Sequence, residues 1–490
     1  TPNHLPYQAL LSGWLSSVSV HAGVEAYCLT SCKSLPVIPF FHEAIANRTC
    51  DLSNHSVGVI QVPSNEQFLG ISYDAPKPLA VMRIQGRVEP KMPIKFLAAA
   101  DRLTSWCSSA ALPMWSSRGI DSAHRFVEQI SQQGLAEADV NRRVRVQFRQ
   151  YYSLAHSHFL GLSSDLLETA EQAMTQAIAD SFDEDDPMQE RGCALLLSAD
   201  GSTLDSTRDL YTQAFYLLAL AWRFRLSGDS KWLEAADREI AFLEKEMASP
   251  QGGYIESIPD RLPRRQNPHM HLFEAFLALH DASGAARYLS LADRIFHLFE
   301  AHFFSHENDC IIEYFTKDWQ PDPLQGSRIE PGHMMEWAWL VDQYAKQSGR
   351  SVGTYSQRLY LKAREIGLDP ATGLLVDEVR ADGTPLRRTR RSWPQTEYIK
   401  AATVLAQAGY APALDHATFV IETLLDTYLN TGVPGIWRDS YNADGSATDN
   451  PAPASTFYHY MSAIGAVSDL VRAIRTASLE GPYLAAGDRP

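Results

Sequence analysis

No run of eighteen or more apolar residues occurs in the chain, so no segment reads as a helix able to span a bilayer. The start, Thr1-Pro2-Asn3-His4, lacks a basic stretch followed by an apolar one, and no signal peptide is expected there. Positive charge is in deficit. Lys and Arg number 43 against 58 Asp and Glu, which gives a net charge of −15 and a pI near 5.5. That balance argues against general binding to nucleic acid or to an anionic membrane and leaves room only for a local anion site. Cysteine is sparse: the six residues, at 28, 32, 50, 107, 193 and 310, form no CxxC pair. Scattered reduced thiols and a cytoplasmic setting are expected. H-E-x-x-H is missing too. His269 and His271 form an H-x-H, which alone is a weak ligand signal, so no metal or other cofactor is expected.

What is present is a globular composition, 45% hydrophobic and 21% charged, long enough at 490 residues for one large domain and a small one. Residues 1–98 differ in texture from the rest. The segments 56–62 and 79–84 are short, apolar and rich in β-branched residues, which predicts strands in a small β-containing appendage. Its histidines, His21, His42 and His55, show no ligand spacing. The matches to the glycosylation sequon at Asn47 and Asn54 are of a kind that arises often by chance.

From residue 99 to 490 apolar residues recur at three and four, and Gly or Pro punctuates the ends. Helices are predicted over 123–133, 144–161, 210–227, 232–247, 271–283, 286–302, 334–348, 353–367, 396–409, 413–430 and 456–477. Regular βαβ order is missing, which disfavours a doubly wound fold. Polar and aromatic clusters recur near helix starts. Arg149, Tyr211, His271, His333, Trp393 and His459 are separated by 62, 60, 62, 60 and 66 residues. A near-constant step marks a repeated unit, here two helices plus loops. Six such hairpins predict an all-α (α/α)6 barrel whose special residues converge on one end of the central cavity.

The stretch Glu330-Pro331-Gly332-His333-Met334-Met335-Glu336-Trp337 puts His333, Glu336 and Trp337 on one helix face. Alone, that is as compatible with packed core as with a site. The recurrence favours a site. Asn267, His271 and Glu274 share a face, as do Trp393, Glu397 and Lys400. Two histidines near neutrality, a guanidinium and a carboxylate suit proton abstraction beside a carbonyl, through an enediolate, with Arg149 stabilising the oxyanion. Trp393 and one of Trp337 or Trp339 would form a sugar-stacking wall. His156 and His158 read as helix-surface residues. The run Arg387, Arg388, Arg390 and Arg391 reads as a solvated loop, with a substrate phosphate as the alternative. Glycoside hydrolysis, which α/α barrels also support, needs two carboxylates flanking the bond, whereas these motifs centre on histidine. A non-catalytic helical-repeat binding protein would leave the inward His, Arg and Glu unexplained.

At these residues the chain resembles the N-acylglucosamine 2-epimerase superfamily, in its mannose isomerase and mannose-6-phosphate isomerase-like branch. The resemblance spans about residues 100–475. It rests on the motif ending Arg149-Gln150, on Asn267-Pro268-His269-Met270-His271-Leu272-Phe273-Glu274, on Glu330-Pro331-Gly332-His333 with Glu336-Trp337, on Trp393-Pro394-Gln395-Thr396-Glu397 and on Ser455-Thr456-Phe457-Tyr458-His459. It implies an (α/α)6 barrel and metal-independent acid–base catalysis on a monosaccharide or sugar phosphate. His333 and His459 would transfer protons, with Glu336 orienting His333 as base. Arg149 and His271 would bind and polarise the carbonyl end. Asn267 and Trp393 would contact sugar, and Tyr211, Glu274, Glu397 and Trp337 complete the expected substrate-binding set. Aldose–ketose isomerisation of mannose or mannose 6-phosphate is expected, with 2-epimerisation of an N-acylglucosamine, N-acylmannosamine or related aldose as the alternative. A homodimer is an open possibility.

Overall fold

A computed structural model describes residues 93–480 and three short strands before them. Those strands, Gly58–Gln61, Phe68–Ser72 and Arg83–Ile84, form an antiparallel sheet in that order. Two of them fall in the predicted segments. Phe68–Ser72 does not. The calls on Cys28, Cys32, Cys50, His21, His42, His55 and the two sequons lie outside the described residues. Cys107, Cys193 and Cys310 are buried free thiols.

The larger compact unit, Ile94–Ala406 with Tyr410–Arg475, is an (α/α)6 barrel. Its first helix starts at Ile94, five residues before the expected boundary. Twelve helices alternate between an outer and an inner ring. The outer ones are α1 (Ile94–Trp106, continuing through a π-helical turn and Leu112–Ser117), α3 (Leu167–Ser181), α5 (Lys231–Phe242), α7 (Ala286–Leu298), α9 (Tyr355–Gly367) and α11 (Pro412–Thr423). The inner ones are α2 (Val144–Phe159), α4 (Leu210–Ser227), α6 (Gln266–Ser283), α8 (Pro331–Ser348), α10 (Ser392–Gln407) and α12 (Phe457–Glu480).

Burial explains the two rings. The outer helix α7 buries one stripe, Tyr288, Ala292, Ile295, Phe296 and Leu298, as an amphipathic surface helix should. The inner helix α4 buries Leu210 and then every residue from Thr212 to Arg223, because it has neighbours on all sides. Gly228, Gly284 and Gly349 end three successive inner helices at φ of 67° to 69°, the left-handed cap that glycine takes without Cβ strain.

The sequence reading failed in three helical places. Residues 123–133 form turns and a short strand, held by Asp121 and Ser131 side chains, and not a helix. Helices α1 and α3 were not predicted. Both are outer helices with small-residue stripes, Ala99–Ala100–Ala111 and Ala170–Ala173–Ala177, which give a weak apolar period.

Long connections lead from each outer helix to the next inner one. They carry two-residue strands that tie neighbouring units together. Arg142–Arg143 pairs with Leu196–Leu197, Arg208–Asp209 with Ser257–Ile258, and Arg264–Arg265 with Tyr314–Phe315. Ile329 bridges to Val379, and Arg390–Arg391 pairs with Ser440–Tyr441. Ala452–Pro453 of the sixth unit pairs back onto Gln129–Ile130 of the first, which closes the ring. The expected site residues sit in the first three turns of the inner helices, under this collar.

Candidate active site

Three inner helices start on an acid from the preceding hairpin. Glu128 accepts from the backbone and side chain of Arg143, Glu256 from those of Arg265, and Asp377 from those of Arg391. Each arginine immediately precedes its helix, so the acid pins the chain where the first backbone donors would otherwise be free. Gln147, Gln213 and Gln395, one turn further, each clamp both backbone groups of one hairpin residue. His269 takes that place in the third unit: Nε2 accepts from Tyr254 N at 3.0 Å and Nδ1 faces Arg265 O at 3.2 Å. His269 is thus a structural clamp, and both ring nitrogens of this half of the H-x-H are spent.

In the fourth unit the hairpin acid is Glu313, and it holds a histidine. Glu313 Oε2 lies 2.9 Å from His333 Nδ1, so the carboxylate accepts the Nδ1 proton. On the other side of the ring, Asn267 Nδ2 lies 3.0 Å from Nε2. Burial pulls the His333 pKa down, but Glu313, Glu330 and Glu336 together outweigh it and lift the group to about 9. The ring therefore carries a proton near neutrality. Turning the Asn267 amide presents Oδ1, otherwise without a partner, to that Nε2–H.

Glu336 does not orient His333, contrary to the expectation from their shared helix face. Among the described residues neither of its carboxyl oxygens has a hydrogen-bond partner, and Oε1 lies 3.9 Å from His271 Nδ1. The His333 ring is turned toward the hairpin, which leaves Glu336 beneath the site. Burial, with Glu397 and Glu274 nearby, raises its pKa well above the carboxylate range despite Lys400.

His459 has the opposite environment. Its Nδ1 lies 2.7 Å from Glu397 Oε1, and Glu397 Oε2 lies 2.7 Å from Lys400 Nζ. Burial, then the charges of Arg149, Lys400, His333 and Arg391, push the imidazole well below its ordinary value. Since Nδ1 donates to Glu397, the neutral ring offers a bare Nε2. Trp393 touches both histidines, with ring centroids 5.2 Å from His333 and 5.3 Å from His459. One indole wall thus carries an acid and a base.

Arg149 closes the other side. It donates to Tyr211 Oη at 2.5 Å and to Ser455 O at 3.3 Å, and its guanidinium lies 4.2 Å from the Phe215 ring centre. His271 stacks on Tyr211 at 4.9 Å and its Nδ1 faces Glu274 at 3.2 Å. Burial lowers His271 to about 3, so it stays neutral.

The expected set thus divides. His333, His459, Arg149, His271, Asn267, Trp393 and Tyr211 come together around one space. Glu274 and Glu397 hold imidazoles from behind, and Glu274 also accepts from Tyr458 Oη, so their oxygens are committed to protein. Trp337 is not a sugar contact. It is fully buried between α6 and α7, donating to Gln266 Oε1 at 2.7 Å and packing on Phe273 and Phe299. Trp339 lies 4.1 Å under Lys400 Nζ instead. The run at 387–391 is mostly neutralised: Arg387 pairs with Glu378, Arg390 with Asp369, and Arg391 with Asp377 and Glu330. Glu313 was not foreseen. Its signal was available, since an acid recurs at the centre of five-residue segments with apolar or aromatic ends at Glu128, Glu256, Glu313, Asp377 and Asp439.

Among the described residues three groups bring possible metal ligands within 4.8 Å of one another: His271 with Glu274 and Glu336, His333 with Glu313 and Glu330, and His459 with Glu336 and Glu397. In each, imidazole Nδ1 already faces a carboxylate, so a cation there would replace a hydrogen bond that sets the ring's tautomer.

Comparison with known proteins identifies the family and the fold. Residues 126–463 match the family model described as N-acylglucosamine 2-epimerase. The chain is 36% identical over 393 residues to a mannose-6-phosphate isomerase of Rhizobium meliloti (strain 1021), covering 76% of this chain and 97% of the relative. It is 27% identical over 349 residues to a D-mannose isomerase of Thermobifida fusca, covering 66% and 81%. Its fold matches that of the cellobiose 2-epimerase of Spirochaeta thermophila DSM 6192 with a TM-score of 0.71 at 21% identity, over 79% of this chain and all of that one. The chain belongs to the N-acylglucosamine 2-epimerase family.

Proposed function

We propose that the chain isomerises an aldose to its ketose, mannose or mannose 6-phosphate to the fructose form, by metal-independent proton transfer between His459 and His333. That it is a sugar isomerase or epimerase follows from its family and relatives. The observation that carries the finer reading is the opposite displacement of the two imidazoles on one Trp393 wall. Environments that push paired groups apart assign acid and base. His459, neutral, takes the C2 proton of the open-chain sugar on Nε2. The electron pair moves to the carbonyl oxygen at C1, giving an enediol(ate). Protonated His333 and Arg149 face the oxygens on which charge develops. His333 gives its proton to O1 and takes up the O2 proton, and His459, whose ring proton exchanges with solvent, returns a proton to C1, which gives the ketose and restores both imidazoles. His271, neutral with Nδ1 held by Glu274, offers Nε2 to a sugar hydroxyl.

The alternative is 2-epimerisation, in which the proton returns to the other face of C2. The family's name and the cellobiose 2-epimerase likeness favour it; the names of the mannose and mannose-6-phosphate isomerase relatives favour isomerisation. Incubation with mannose, mannose 6-phosphate and N-acetylmannosamine in D₂O with chelator present, followed by NMR, separates them. Ketose is the expected product. Deuterated epimer instead would establish the alternative, and complete loss of activity with chelator would overturn the metal-free mechanism.

A further inference from the structure

The first turn of α2 carries a charge that the proton-transfer chemistry does not use. Arg143, Arg265 and Arg391, which open three inner helices, each hold a carboxylate. Arg145, second residue of α2, has no ion pair or hydrogen bond among the described residues. Its guanidinium sits 5.2 Å from the Tyr211 ring centre and is half-buried. Arg149, which also has no carboxylate, is four residues on and so on the same face, one turn or about 5.4 Å deeper. Two like charges one turn apart repel, and a partly buried guanidinium without a counter-ion is costly. Burial first, then Arg143 and Arg149, bring Arg145 down to about 10, although the nearby Tyr211 and Asp209 act in the opposite direction.

Position matters as much as charge. Arg145, Tyr211 and Trp393 are each the second residue of their inner helices, at the outer level of the site. Arg149 and His271 are each the sixth, at the deeper level. Tyr211 joins the levels: it stacks on His271, accepts from Arg149 and lies under Arg145. A sugar with its carbonyl end at Arg149 extends its far end toward Arg145. The alternative cationic stretch, residues 387–391, is occupied by Glu378, Asp369, Asp377 and Glu330 and leaves only exposed Arg388 without a carboxylate.

We infer that Arg145 is the anchor for a phosphate monoester at the end of the substrate remote from the carbonyl, which makes a sugar phosphate the preferred substrate class. The inference rests on the sugar isomerase or epimerase reading above and on the same site. Guanidinium suits this task because its fork of donors matches phosphate oxygens and it is charged near neutrality.

Calorimetric binding of glucitol 6-phosphate and of glucitol, which lack the reactive carbonyl, tests this without turnover. The wild type is expected to bind the phosphorylated polyol at least about tenfold more tightly, as a charge-assisted pair provides. Arg145→Met should bring the ratio close to one, and Arg145→Lys should keep part of it, with thermal melts verifying that both variants fold. A wild-type ratio near one, or a full ratio in Arg145→Met, would overturn the inference. Turnover of mannose by the same preparations reads the isomerase proposal separately. An inactive enzyme with the ratio intact would sink the catalytic reading alone, and an active enzyme without the ratio would sink the phosphate anchor alone.

Discussion

Glu313 Oε2 lies 2.9 Å from His333 Nδ1, across twenty residues of sequence, while Glu336, three residues along the same helix, leaves its oxygens without a hydrogen bond. The hairpin acid that elsewhere pins an arginine at a helix start is used here to fix a histidine tautomer and hold its charge. Glu313→Gln should therefore lower the alkaline limb of kcat/KM from about 9 by about one pH unit or more and cut kcat roughly 10–100-fold. Glu336, the smallest of the three carboxyl contributions to His333 and itself raised by burial, should move that limb far less in Glu336→Gln than Glu313 does in Glu313→Gln. A limb that moves with Glu336 and not with Glu313 would reverse the two roles.

The same charge has a stability signature. His333 is raised in the folded state, so its contribution is fully present below the unfolded value of about 6.5 and is lost as pH rises through about 9. His459 is depressed, so its effect runs the other way and costs stability as pH falls below about 6.5. Urea midpoints of wild type and His333→Gln, taken from pH 6 to 10, should converge as pH rises through this window. A constant difference would show that His333 carries no extra proton in the folded state.

Gly332 makes room for the indole. A Cβ there would lie 2.7 Å from Trp393 Cη2 and 2.9 Å from Pro394 Cβ. Gly332→Ala should cost about 1–3 kcal/mol in stability by overpacking. By shifting the wall that carries both imidazoles it should lower kcat by on the order of a hundredfold. Chemical denaturation and steady-state rates check the two effects. Normal kcat would mean that Trp393 does not position the histidines.

Lys400 is the buried cation among Glu397, Glu336 and Glu274. Lys400→Met leaves acids buried without it and should destabilise the protein by about 3–5 kcal/mol. Lys400→Met with Glu397→Gln should recover part of that loss in denaturant melts. No recovery would indicate that Lys400 acts through packing alone.

The ring and most of the site were legible because both repeat. A step near 60 residues set six equivalent helix starts, and five of them supplied a polar side chain to the site at the predicted residue. What a face on a helical wheel does not reveal is the direction of a ring. His333, Glu336 and Trp337 share a face, yet His333 turns to a hairpin, Glu336 drops beneath the site and Trp337 packs outward against Phe299. Glu313 was hidden for a related reason. Its partner depends on which hairpin strand docks beside α8, a long-range pairing that local periodicity does not encode. Helix α3 was missed because alanines carry its buried stripe.

The central claim is that neutral His459 removes the C2 proton while protonated His333 assists. The direct measurement is release of deuterium from the C2 position of mannose 6-phosphate labelled there, by wild type, His459→Asn and His333→Asn, each verified as folded. Wild type should release the label with formation of the ketose, and both variants should fall to background, because an amide neither takes nor supplies the proton. Release at a near-normal rate by His459→Asn would contradict its role as the base and, with it, the account of this site.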